Sequence, residues 1–75
     1  MINKNELIKF FSKFWSIDVS EINDLLKLDD KTLKNSSSIR RYQFFAALES
    51  NFDVRVENVN KIITFGDIHK NLKKA

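Results

Sequence analysis

Three serines in a row, Ser36, Ser37 and Ser38, run straight into the patterned segment IRRYQFFAALESNF, and these hydroxyls are the side chains best placed to do chemistry. A hydroxyl at the mouth of a helix meets unpaired backbone N–H groups and the positive end of the helix dipole. Two uses are open to it: capping the helix, or serving as an exposed attachment point for a group that an enzyme adds. Arg40 and Arg41 follow at once. Cations in a first turn oppose the dipole by roughly a few tenths of a kcal/mol each, and a local rule broken at a helix mouth marks a place to look for function. The remaining candidates are thinner. Asp29 and Asp30 form an acidic pair with no histidine, third carboxylate or EF-hand spacing beside it, and so read as a solvated loop. His69 is alone and reads as a surface residue. With no cysteine, one histidine and no glycine-rich loop, no catalytic constellation assembles, and the chain is not expected to be an enzyme.

The elements that must position those serines follow from periodicity. Asn3 and Glu6 have capping-box spacing, and Leu7, Ile8, Phe10, Phe11, Phe14 and Trp15 share one arc at helical spacing, which predicts a first amphipathic helix over residues 4 to 15. From Ser16 to Ser38 the pattern weakens to a long connection, anchored by Ile17, Val19, Ile22, Leu25, Leu26, Leu28 and Leu33, with a short helix expected around Glu21 to Lys27. A second helix over about Ile39 to Asn51 would pack Tyr42, Phe44, Phe45, Leu48 and Phe52 and leave Arg40, Gln43, Ala47, Ser50 and Asn51 outside. Ile39 sits at the margin of that outer side, beside Ser38. Val54-Arg55-Val56 reads either as an extended piece or as the lead into an abbreviated helix. Thr64 and Asp67 repeat the capping-box spacing and open a last helix expected to run through Leu72 to the C-terminus.

Composition bounds the rest. Seventy-five residues make one domain, 1-75, whose core must be dense because nothing staples it: there are no cysteines and no Cys/His metal spacing. The absence of cysteine, of a span-length apolar run and of a signal segment at Met1 to Phe11 reads as cytoplasmic and soluble. Thirteen basic against ten acidic residues give a formal charge of +3, much of it from Lys70, Lys73 and Lys74, which suit the last turns of a helix. No helix-turn-helix signature or basic-aromatic interleaving accompanies Arg40 and Arg41, so nucleic acid is not the expected partner.

The order of elements, with AALESNFDVRV (Ala46 to Val56) and ITFGDIHKNL (Ile63 to Leu72), resembles the acyl carrier protein family of phosphopantetheine-dependent carriers. The first piece is similar to the ending of that family's second helix and the second to the start of its final helix. The resemblance covers nearly the whole chain. It implies an all-α fold, a small three- to four-helix bundle of acyl-carrier-protein type with a long loop between helices 1 and 2. Counting back from Phe52 without a gap sets Ser38-Ile39 on the Ser-Leu of the family's Asp-Ser-Leu signature. The resemblance thereby implies phosphopantetheine attached covalently to Ser38, with Ser37 as the fallback. The carrier would hold an acyl or related carboxylic group as a thioester for partner enzymes of lipid or secondary-metabolite synthesis. Implied partners are a phosphopantetheinyl transferase and acyl-loading and acyl-processing enzymes, meeting Ile39, Arg40, Arg41, Gln43 and Ala47 of a monomeric carrier. Ser37 stands where the family has aspartate, and the two arginines replace acidic or neutral residues, so acidic docking surfaces on those partners are expected. The family's cargo can lie between the helices; here Phe44, Phe45, Phe52 and Phe65 are expected to fill that space, which would favour short or surface-displayed cargo. The competing expectation is an arm-less, carrier-like helical module that binds a protein through Arg40 and Arg41.

Overall fold

The structure is a computed structural model that describes residues 2–29, 31–33 and 37–75. Helix α1 spans Lys4–Trp15 and begins with the expected reciprocal cap: the Glu6 N–H donates to Asn3 Oδ1 at 2.8 Å and the Asn3 N–H to Glu6 Oε1 at 3.3 Å. It ends at Ser16, a left-handed residue (φ 54°) placed where a glycine is the usual choice. Helix α2, Ser38–Phe52, ends the same way at Asp53 (φ 53°). Helix α3 is short, Phe65–Lys70, and opens with the Thr64/Asp67 box.

The expectation of an all-α bundle is overturned by two strands. β1, Val54–Val56, pairs antiparallel with β2, Leu72–Lys74, with Arg55 opposite Lys73. The last helix therefore stops at Lys70 and does not continue through Leu72. Asn71 caps it, its side-chain amide donating to the Asp67 carbonyl, and the chain then turns back so that its backbone groups pair with those of β1. The alternation of Val54 and Val56, both buried, with exposed Arg55 serves the extended option, and Leu72 completes the apolar side of the ribbon. Lys73 and Lys74 consequently lie on a strand, leaving His69 and Lys70 as the basic residues of α3's last turn. The fold is small and mixed, three helices and a two-stranded ribbon among the described residues.

Between α1 and α2 the chain forms a 3-10 turn at Val19–Glu21, not the helix expected over Glu21 to Lys27. That stretch is claimed by the start of α3: the Phe65 N–H donates to the Leu26 carbonyl (2.8 Å), Leu28 N–H to Ile63 (2.9 Å) and Gly66 N–H to Asp24 (3.2 Å). Backbone groups spent on a neighbouring segment cannot close a helix. Ile22, Leu28 and Leu33 are buried anchors of this connection, whereas Val19 and Leu25 are exposed. A second 3-10 turn, Val59–Lys61, precedes α3. Asp30 and Ser36, which belong to the acidic pair and the serine run, lie outside the described residues.

The core sits between the three helices and is built on rings. Phe11, Phe44, Phe65, Leu7, Leu48 and Ile68 are at most 1% exposed. Phe11 meets Phe65 edge to face at 5.1 Å and Phe44 at 5.4 Å, and Phe14 meets Phe44 at 5.1 Å, distances typical of favourable aromatic pairs. Trp15 closes this cluster at 6% exposure.

Candidate functional site

Which serine does what is decided by one turn of backbone. Ser37 is the N-cap of α2: its backbone is extended (φ −91°, ψ 167°) and its hydroxyl accepts the Arg40 N–H at 3.1 Å. Ser38 is the first helical residue, exposed, and among the described residues its hydroxyl makes no hydrogen bond. The capping need is met by the neighbour, so the Ser38 hydroxyl stands at the helix mouth with no structural duty. It also lies on the rim of a cleft of about 390 Å³, whose other walls include Leu28, Arg41, Tyr42, Phe45, Val59 and Ile62. Ser38, Arg41, Tyr42 and Phe45 follow one another at helical spacing on a single stripe of α2, so the helix aims a hydroxyl, a cation, a phenol and a buried ring at the same groove.

The two arginines have partners inside the fold. Arg40 lays its guanidinium over the Phe14 ring, with Cζ 4.2 Å from the centroid, and over Trp15 at 5.6 Å, and Nη2 donates to the Phe14 carbonyl at 3.4 Å. Phe14 is in the last turn of α1, so the cation that opposes α2's dipole lies at the favourable, negative end of α1. Arg41 Nη1 donates to the Leu28 carbonyl at 3.1 Å and ties the long connection to α2. Both side chains are half-buried. Of the other positions assigned to partner contact, Ile39 is 72% exposed, Gln43 is exposed and Ala47 is half-buried.

Tyr42, expected to pack inward, is 53% exposed, and its hydroxyl reaches toward Asn60 Oδ1 at 3.5 Å across the cleft. Ile63, 64% exposed, borders the same cleft. Neither was among the site residues expected from the sequence. The i+4 step from Ser38 to Tyr42 was the available signal, hidden because an aromatic residue beside Phe44 and Phe45 reads as core. Asp29 lines the cleft and accepts the Thr32 N–H at 3.0 Å, a local turn contact. Among the described residues no group of three or more metal-ligating side chains gathers, and no helix is long and apolar enough to cross a membrane.

Compared with protein-family models, with curated proteins and with solved structures, the chain matches none of them.

Proposed function

We propose that this chain is a carrier that holds an acyl or related carboxylic group through a phosphopantetheine arm on Ser38. The observation that carries the reading is the division of labour at the mouth of α2, where Ser37 caps and Ser38 is exposed and uncommitted. A transferase can reach such a hydroxyl. Ser38 Oγ would form a new ester bond to the phosphorus of coenzyme A that bears pantetheine, the diphosphate bridge would break, the nucleotide portion would leave, and the hydroxyl proton would pass to the transferase. The first-turn N–H groups of α2 favour the phosphate that results. When attached, the arm supplies a thiol that holds a carboxylic acid as a thioester, chemistry that the cysteine-free chain lacks. The chain's own residues then orient and present the arm, and no general base is required of them.

Incubation with coenzyme A and a broad-specificity phosphopantetheinyl transferase tests the reading by intact mass. The expected result is a gain of one phosphopantetheinyl group that is abolished in Ser38→Ala and retained in Ser37→Ala. An unchanged mass with several such transferases overturns it. The partners proposed are that transferase and the enzymes that load and process the acyl group. The arm-less interaction module has one observation of its own, the exposure of Ile39 on α2 and of Ile63 at the cleft, and predicts protein binding that survives Ser38→Ala. Engagement of Arg40 and Arg41 with Phe14, Trp15 and Leu28 weighs against a nucleic-acid surface.

A further inference from the structure

The cleft and the core offer two very different places for whatever the arm carries. The core is full. Phe44 lies within 5.1 Å of Phe14, 5.4 Å of Phe11, 5.7 Å of Phe10 and 5.8 Å of Phe45 by ring centroids, and Phe11 in turn lies 5.1 Å from Phe65. Admitting an alkyl chain between the helices would part these rings, and a close-packed interior resists even one added methylene. The rings come from α1, α2 and α3 alike, so a chain lying between any two of these helices would meet them. The cleft beside Ser38 needs no such opening. Its apolar wall is Phe45, Val59, Ile62 and Ile63, its polar side carries Lys27, Asp29, Arg41, Tyr42 and Asn60, and it is open to solvent. Its volume of about 390 Å³ falls at the low end of the ~300–1,000 Å³ typical of small-molecule sites.

Resting on the carrier reading, we propose that the cargo of the Ser38 arm is a short acyl group seated in the open cleft against Tyr42, Val59, Ile62 and Ile63, and that long chains are left in solvent and do not enter the core. The substrate class is thus small carboxylic acids, and discrimination by length is built into the aromatic interior.

The test loads the full chain with butyryl- or tetradecanoyl-coenzyme A and the same transferase, confirms loading by intact mass, and records amide shifts together with the rate of thioester cleavage by hydroxylamine. The butyryl form is expected to move Tyr42, Val59, Ile62 and Ile63 while Leu7, Leu48 and Ile68 stay in place. Each methylene withdrawn from water shifts an equilibrium by about fourfold, so a swallowed tetradecanoyl chain would slow cleavage by orders of magnitude relative to butyryl, whereas a tetradecanoyl chain left in solvent is expected to be cleaved at least as fast as the butyryl chain seated in the cleft. Tetradecanoyl-specific shifts at Leu48 and Ile68 with slowed cleavage overturn the cargo proposal and leave the carrier reading standing. So does a butyryl form that moves no cleft residue. Failure to load either thioester, with no mass gain from coenzyme A itself, overturns the carrier reading and the cargo proposal with it.

Discussion

At the scale of residues, the site depends on neighbours with similar side chains and different duties. Ser37 caps α2 and Ser38 does not, so their alanine variants should separate. Ser37→Ala leaves the Arg40 N–H without its acceptor and is expected to cost about 1 kcal/mol in a urea melt, the usual worth of a serine cap. Ser38→Ala should leave the melt unchanged within about 0.5 kcal/mol, as for a surface substitution away from caps and core. Arg40 is the residue whose role its local sequence conveys least. Its cation looks misplaced in a first turn until α1 is brought alongside, a fact that no local pattern contains. Arg40→Gln removes the stack on Phe14 and is expected to destabilise by about 1 kcal/mol; Arg40→Lys should recover only part of this, because an ammonium keeps the charge and loses the planar face.

At the scale of elements, the connection between α1 and α2 is held by backbone contacts to the start of α3, and Gly66 is one of the points where the two meet closely. A Cβ there would lie 3.0 Å from both the Asp24 carbonyl oxygen and Asp24 Cβ. Alanine would gain about 1 kcal/mol of helix propensity in α3, yet crowding against backbone typically costs about 1–3 kcal/mol. Gly66→Ala is therefore expected to lower stability by about 1 kcal/mol, with faster hydrogen exchange at Leu28 and Phe65, whose N–H groups bridge the two segments. Elements governed by adjacent residues were legible in the sequence: both capping boxes, the extent of α1, and the buried face of α2 at Phe44, Phe45 and Leu48. The ribbon was not. Strand pairing depends on a partner in another part of the chain, and Leu72 fits a helical stripe after Ile68 as well as it fits a strand. Of the candidate site, a serine run at a helix mouth was legible from its place before the apolar pattern, with Ser38 chosen over Ser37 only through the family resemblance, while the cleft was not, because Val59, Asn60, Ile62 and Ile63 reach it from another part of the chain.

For the whole molecule, charge sets the response to acid. The Asp67 carboxylate is held below the ordinary aspartate range by the Ile63 N–H and then the Thr64 N–H, both 3.0 Å from Oδ2. Asp18 is lowered by the backbone N–H and the hydroxyl of Ser20, and Asp24 by its hydrogen bond from Lys4 at 2.7 Å. A folded-state value below the unfolded one means that the contribution is whole above the ordinary aspartate value and is lost as pH falls through the lowered one. Thermal midpoints should accordingly be flat near neutrality and decline in the acid range below the ordinary aspartate value. Asp67→Asn should shallow that decline as well as lower the neutral midpoint, and an unaltered acid limb would contradict the assignment.

The packing of Trp15 gives the molecule an optical signal of its own. It is the one tryptophan in the sequence, 6% exposed, with an indole N–H that has no hydrogen-bond partner among the described residues. It stacks near Phe11, Phe14 and Phe44 and lies under the Arg40 guanidinium. Its emission therefore reports on one joint, the seam where the mouth of α2 rests on the end of α1. Loosening that seam wets the indole and moves its emission to the red, so separation of α2 from α1 can be followed by fluorescence without any label.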